Sequence, residues 1–294
     1  MNVVETIDAL RQARTAIKGT VGLVPTMGAL HDGHIALVRQ AKAENQSVIV
    51  SIFVNPTQFN PNEDLSKYPR DIPRDLELLR REGVDLVFTP TPELIYPKGF
   101  QTWVNVERVS QGLEGARRPG HFKGVATVVA KLFNLIQPQK AYFGQKDAQQ
   151  AAVIKRMIHD LNFPLDIRIC PTVREADGLA MSSRNVYLTP EQRVAAAIIR
   201  RSLLAASSAY EKGERKANNI RIVVEGILQT EPLAEVDYIS VADAVTLREI
   251  ETQNDHPLLV SLVVNMGGTH LLDNILLPLS LNGIDGLTNT LGGA

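Results

Sequence analysis

Val21-Gly22-Leu23-Val24-Pro25-Thr26-Met27-Gly28-Ala29-Leu30-His31-Asp32-Gly33-His34-Ile35-Ala36-Leu37-Val38 reads as strand, tight loop and helix. Val21 to Val24 is a short apolar, β-branched run, and Ile35 to Val38 opens a helical pattern. Two histidines stand at the junction between loop and helix. A helix start presents unpaired backbone N–H groups and a positive dipole end, which suits phosphate. Gly33 removes a side chain where a flat base or a phosphate must come close. Imidazoles placed there can donate to phosphate oxygens as charge develops on them.

The alternation continues outward from this stretch. Ser47 to Val54 reads as a second buried strand. Ile72 to Arg81 reads as a helix with Pro73 in its first turn, ended by Gly83, and Val84 to Phe88 as the next strand. Gly124 to Ile136 has helical spacing and stops before Pro138. Ala141 to Phe143 is a strand, Ala148 to His159 a helix and Leu165 to Cys170 a strand. Such repetition predicts an α/β fold with a Rossmann-like parallel sheet, covered on both faces, with ligands at the carboxyl ends of its strands.

After Val173 the pattern changes. Thr189 caps a long helical stretch, Pro190 takes its first position and Gln192 completes a capping box. A helix over Ala217 to Leu228 precedes strands at Val236 to Val241, Leu258 to Val264 and Leu271 to Leu276. Residues 1–173 are thus expected to form a Rossmann-like domain. Residues 174–294 form a smaller C-terminal α+β domain that carries the Met181 to Arg184 loop. The Gly- and Asn-rich tail after Pro278 is expected to fray.

Composition sets the bounds. The chain has 294 residues, 44% of them hydrophobic and 21% charged, with a formal net charge of −1. Nothing in that balance points to nucleic acid or a membrane surface. Leu258 to Val264 is too short to cross a bilayer, and Met1 to Leu10 does not read as a signal peptide. The single cysteine, Cys170, excludes an internal disulfide, fits a reducing cytoplasm and reads as a small core residue. There is no P-loop, no dinucleotide-type glycine triplet and no Cys/His set with zinc spacing. Magnesium carried by a nucleotide is the metal such a chain would use.

Four further segments carry chemistry. Gly144-Gln145-Lys146-Asp147 again follows a strand and opens a helix. Lys146 supplies a point charge for phosphate, Asp147 is placed to cap, and Gln150 lies three residues on, facing the same side. Met181-Ser182-Ser183-Arg184 offers two hydroxyls and a guanidinium as a triphosphate clamp, and an isolated serine pair is also an ordinary turn. Phe53-Val54-Asn55-Pro56-Thr57-Gln58-Phe59 leaves a strand end, where Asn55 and Gln58 can bind a small polar substrate or simply make a turn. Arg117 to Gly124 leaves two readings open, an anion-binding flap and a solvated basic turn.

Taken together, Pro25 to His34, Phe53 to Phe59, Gly120-His121-Phe122-Lys123-Gly124-Val125, Gly144 to Gln150 and Met181 to Arg184 resemble the pantothenate synthetase (pantoate–β-alanine ligase) family of the nucleotidylyltransferase superfamily. The motifs keep that family's order and spacing over nearly the whole chain. The His-x-Gly-His element is shared with many nucleotidylyltransferases and class I aminoacyl-tRNA synthetases. The Asn-Pro-Thr-Gln-Phe and Gly-Gln-Lys-Asp-Ala-Gln-Gln segments are much more specific.

The resemblance implies an ATP-dependent ligase. Pantoate would attack the α-phosphate of ATP to give pantoyl adenylate and pyrophosphate, and β-alanine would then displace AMP to give pantothenate. The alternative is a nucleotidylyltransferase of the same superfamily acting on a different small substrate. By the same resemblance ATP lies along Met27, Gly28, Ala29, Leu30, His31, Asp32, Gly33 and His34, along Gly144, Gln145, Lys146 and Asp147, at Val173, and along Met181, Ser182, Ser183 and Arg184. His31 and His34 would stabilise charge at the reacting phosphate, with His34 as the proton donor. Lys146 and Arg184 would hold the triphosphate and the leaving pyrophosphate. Gln58 and Gln150 would grip pantoate with Asn55 in support, Gln58 also lying where β-alanine is expected. Asp75 would stand near magnesium, although an aspartate on a helix is usually just solvated. The family implies a homodimer. His270 stands where relatives often have arginine, and Ala148 where several have an aromatic residue.

Overall fold

A computed structural model describes residues 1–61 and 63–293. In chain order the strands are β1 (Asn2–Val4), β2 (Val21–Thr26), β3 (Ser47–Ile52), β4 (Leu86–Phe88), β5 (Lys140–Gly144), β6 (Asp166–Cys170), β7 (Glu235–Asp243), β8 (Leu258–Met266) and β9 (Thr269–Leu277). The helices are α1 (Ile7–Ala16), α2 (Asp32–Glu44), α3 (Ile72–Arg81), α4 (Pro92–Ile95), α5 (Leu113–Arg117), α6 (His121–Ile136), α7 (Ala148–Asp160), α8 (Pro190–Ala195), α9 (Ile198–Glu211), α10 (Ala217–Leu228) and α11 (Ile284–Thr290). The first six strands form a parallel sheet in the order β1-β4-β3-β2-β5-β6, and β7-β8-β9 form a separate antiparallel sheet. The expected fold class is therefore observed. By contact the chain divides into two compact units, residues 1–143 with 153–168 and residues 144–152 with 169–294.

In the parallel sheet the chain winds outward from β2 through β3 to β4, then crosses back to place β5 on the other side of β2. The strand order thus reverses between β2 and β5, and ligands in such sheets bind beyond the carboxyl ends at that reversal. Pro25 shows how the pair separates there. Along β2, alternate residues face β3 and β5: Thr26 O accepts from Phe53 N, and Val21 O accepts from Gln139 N. Pro25 faces the β5 side, but pairing with β5 ends at Leu23 and Ala141. A missing N–H therefore costs no ladder bond in a strand that is otherwise central. Its core is as apolar as a doubly covered sheet requires, with Leu23, Val24, Ile49, Val50, Val87 and Phe88 fully buried.

In the second unit, α9 and α10 lie on the three-stranded sheet, and Leu203, Ile220, Val224, Val260, Leu262 and Ile275 fill the space between. The Thr189–Gln192 capping box forms as expected, with Gln192 N donating to Thr189 Oγ1 and Thr189 N to Gln192 Oε1. The long helix expected after it is broken in two. Hydrogen bonds tighten to three-residue spacing at Ala197 and Ile199, so α8 and α9 are separate. The fraying expected after Pro278 is also corrected. Leu287 and Leu291 are both 0% exposed, and Gly292 N donates to Ala244 O. Burial of two leucines outweighs the loop-like composition of the tail.

Candidate active site

The turn after β2 is strained and held from below. Gly28 and Ala29 both take left-handed backbone, with φ of 80° and 49°. For alanine this is costly, and it persists where surrounding groups overdetermine it. Asp75, in the first turn of α3, does so here. It is 0% exposed, and its Oδ1 accepts from Leu30 N at 2.8 Å. Arg74 Nη1 donates to Leu30 O at 3.0 Å and lies 3.7 Å from the Asp75 carboxylate. A Cβ on Gly28 would stand 3.1 Å from both Asp75 Oδ2 and Ile52 Cγ2, so the space is tight as well as the backbone left-handed. Asp75 is thus not the solvated helix residue that its place in the sequence suggests. It is the floor of the turn.

At the helix start, His31 occupies the N-cap position of α2 and its Nδ1 accepts from Gly33 N at 3.1 Å. His31 N in turn donates to His34 Nδ1 at 3.4 Å, making a reciprocal capping box. With Nδ1 turned to a backbone N–H in both rings, the neutral imidazoles carry their proton on Nε2. The ring centroids are 4.1 Å apart. The pair is therefore built to offer hydrogen bonds from Nε2. Asp32 is exposed in the first turn of α2, and Gly33 and Met27 are half-buried.

The turn after β3 is assembled around Asn55, which is 1% exposed. Its Oδ1 accepts from the hydroxyls of Thr57 and Tyr96, each at 2.9 Å. Its Nδ2 donates to Gln58 Oε1 at 3.1 Å and to Gly124 O at 3.2 Å. Burial pushes the Tyr96 phenol above its ordinary pKa, which keeps it protonated as a donor. Gln58 Nε2 donates to Met27 Sδ at 3.0 Å, joining this turn to the first one. The loop read as a flap or a basic turn proves to be a support. Arg118 forms a two-bond pair with Glu63 at 3.0 and 2.6 Å, and His121 Nδ1 donates to Gln58 O at 2.8 Å. A Cβ at Gly124 would meet Thr57 O at 2.5 Å, so glycine lets α6 pack on this turn.

The remaining candidates lie in the second unit. Gln145 to Asp147 form a 3-10 turn running directly into α7. Gly144 holds its N-cap position, so Asp147 lies inside the helical stretch rather than ahead of it. Lys146 Nζ lies 3.8 Å from Asp147 Oδ1. Gln149 is buried and Gln150 half-buried on α7. Val173 O accepts from Met181 N at 3.0 Å, closing a hairpin that delivers Met181 to Arg184. Ser182 Oγ accepts from Arg184 N at 3.3 Å and caps the 3-10 turn Ser183–Tyr187.

Tyr96, His121 and Asn274 are contributors to which sequence reading assigns no role, although His121 lies within the Gly120 to Val125 motif. Asp75, read from the resemblance as standing near magnesium, is found supporting the turn after β2.

One expectation follows for Asp75. Burial raises its carboxyl above the ordinary value, against the opposing pull of the Leu30 and Ala29 N–H groups and of Arg74. A raised acid holds its proton more tightly in the folded chain, so its contribution to stability falls as pH climbs from about 4. Asp75→Asn removes that term. The stability of the variant relative to the parent should rise between about pH 4 and pH 7, read from denaturant midpoints. A difference that stays constant across that range would refute the assignment.

The pantoate-beta-alanine ligase family profile matches residues 2–276. The pantothenate synthetase of Roseiflexus sp. (strain RS-1) is 57% identical over 277 residues, covering 94% of this chain and 99% of its own. That of Moorella thermoacetica is 52% identical over 283 residues, covering 95% of this chain and 100% of its own. The pantothenate synthetase structure from Thermus thermophilus superposes with a TM-score of 0.89 at 47% identity, covering 94% of this chain and 99% of that one. The pantoate-beta-alanine ligase of Francisella tularensis was solved with β,γ-ATP and β-alanine. It gives a TM-score of 0.77 at 35% identity, covering 94% and 97%. Motifs, sheet topology and relatives agree, and the chain belongs to the pantoate–β-alanine ligase family.

Proposed function

We propose that this chain joins pantoate to β-alanine at the expense of ATP, through pantoyl adenylate, releasing pyrophosphate and AMP. The observation that carries the reading is the capping-box pair of imidazoles after β2, in which Nδ1 of each ring accepts from the backbone, so that a neutral ring bears its proton on Nε2. A carboxylate is a poor acyl donor because oxide would have to leave. In the first step a pantoate oxygen bonds to the α-phosphorus, and the bond to the β-phosphate bridging oxygen breaks. In the second the amine nitrogen bonds to the acyl carbon, the carbon–oxygen bond to AMP breaks and the amine sheds a proton. Neither step needs a protein nucleophile, so positioning and charge stabilisation are the enzyme's work.

In this reading ATP follows Met27 to His34, Gly144 to Asp147, Val173 and Met181 to Arg184. His31 and His34 donate to the reacting phosphate, and the capping geometry favours hydrogen-bond donation from Nε2 over outright proton transfer. Lys146 and Arg184 take the triphosphate and then the pyrophosphate. Gln58 and Gln150 hold pantoate. Asn55 keeps Gln58 in place through its bond to Oε1. Magnesium enters on the nucleotide phosphates, as part of the substrate. The reading includes a homodimer working in the cytoplasm, in keeping with the family and with a sequence that holds a single cysteine, the buried Cys170.

Exchange of labelled pyrophosphate into ATP tests it. Exchange should require both pantoate and magnesium, and adding β-alanine should yield AMP and an amide in equal amounts. Exchange indifferent to pantoate, or a stable product that retains the nucleotide, would overturn it in favour of nucleotidyl transfer to another substrate.

A further inference from the structure

The turn that carries Lys146 is held by one side chain from a distant strand. Asn274 of β9 is 1% exposed, and its Nδ2 donates to Gln145 O at 3.0 Å and to Lys146 O at 2.9 Å. These carbonyls belong to the peptide planes on either side of the Lys146 Cα. Pinning both planes sets φ and ψ of Lys146 and hence the direction in which its side chain leaves the backbone. The Asn274 Oδ1 is buried without a hydrogen-bond partner among the described residues, so the amide hydrogens alone account for its placement.

Asn274 is itself fixed. Its N–H donates to Asp273 Oδ1 at 2.8 Å, and Asp273 receives Arg174 through two bonds at 2.6 and 3.0 Å. Arg174 also donates to Gly178 O at 3.0 Å, within the hairpin closed by Val173 and Met181. On its other side the turn is tied by Gln145 Nε2, which donates to Asn282 Oδ1 at 2.6 Å. Adjacent residues of β9 thus hold the Lys146 turn and the stem of the Met181 to Arg184 loop.

We infer that Asn274 is a positioning residue for Lys146, a role that rests on the assignment of Lys146 to the nucleotide phosphates. A displaced ammonium loses its alignment with charge that develops in the transition state, and misplacement by about 1 Å can cost on the order of 100-fold in rate.

The test is a double-mutant cycle on pantoate-dependent pyrophosphate exchange, using Asn274→Ala, Lys146→Ala and the pair. Each protein is first verified as folded by thermal melting. Asn274→Ala should lower the exchange kcat by about 10- to 100-fold. In the Lys146→Ala background the same change should cost less than about twofold, because the group it positions is gone. If alanine at 274 prevents folding, Asn274→Ser, which keeps a hydroxyl donor and leaves a smaller gap, runs the same cycle. Equal losses in both backgrounds would show that Asn274 acts independently of Lys146 and would defeat the inference while leaving the role of Lys146 intact. Normal exchange in Lys146→Ala alone would remove the phosphate assignment, and the inference would go with it.

Discussion

His34→Gln is expected to lower pantoate-dependent pyrophosphate exchange by about 10²- to 10³-fold while ATP binding shifts by no more than a few-fold. Glutamine is chosen because it is a natural capping-box residue at this position, able to accept from the His31 N–H as His34 Nδ1 does at 3.4 Å. The start of α2 is thereby kept. What disappears is the imidazole Nε2–H. A donor aimed at the reacting phosphate interacts weakly with ground-state ATP and more strongly once charge builds during attack, so its loss falls on kcat. Isotope exchange gives the rate, calorimetric titration gives the ATP affinity, and a thermal melt verifies the cap. Exchange within a few-fold of the parent would take His34 out of the chemistry.

The elements that could be read from sequence are those whose signal is local. α3 is observed over Ile72 to Arg81, because Asp71 caps it, Pro73 fits its first turn and Gly83 follows it with φ of 69°. β2, β3 and β5 announce themselves as apolar runs, since a strand covered on both faces has no polar alternation. β1 could not be read that way. Its three residues, Asn2 to Val4, become a strand only by pairing with Leu86 to Phe88 of β4. In the C-terminal tail the pattern was present, with Ile284, Leu287 and Leu291 at helical spacing, but glycine and asparagine between them argued for a loop. Long-range burial decided the outcome.

The same division runs through the candidate site. Side chains proposed to touch ligand sit in short motifs beside the strand ends that present them. The groups holding those motifs come from far along the chain: Asp75 is 45 residues from Leu30, His121 is 63 from Gln58, and Asn274 is 128 from Lys146. A single aspartate, histidine or asparagine at such a distance has no spacing rule to expose it. The basic loop shows the converse. Its charge density invites an anion, but Arg118 is already matched by Glu63, a pairing that composition does not reveal.

Asn55→Ala should be strongly destabilising, because it removes both the acceptor and the donor of a buried network at once. The hydroxyls of Thr57 and Tyr96 lose their shared acceptor, and Gly124 O and Gln58 Oε1 lose their donor, all around a residue 1% exposed. The Thr57 and Tyr96 hydroxyls, 3.0 Å apart, can satisfy one another in part. Gly124 O lies within α6 and keeps its helical donor, but Gln58 Oε1 has no such recourse, which sets the expected loss on the order of 1–3 kcal/mol in urea unfolding. Function should suffer separately from stability. With its Oε1 released, Gln58 keeps, among the described residues, the Met27 Sδ contact to orient its amide, so the KM for pantoate should rise about tenfold. Asn55→Asp separates the two effects. A carboxylate can still accept from Thr57 and Tyr96 but offers nothing to Gln58, so the pantoate defect should persist while the Thr57–Tyr96 half of the network survives. Urea midpoints and initial rates against pantoate read the two quantities independently. An alanine variant with unchanged midpoint and unchanged KM would mean that the turn after β3 holds Gln58 by backbone alone.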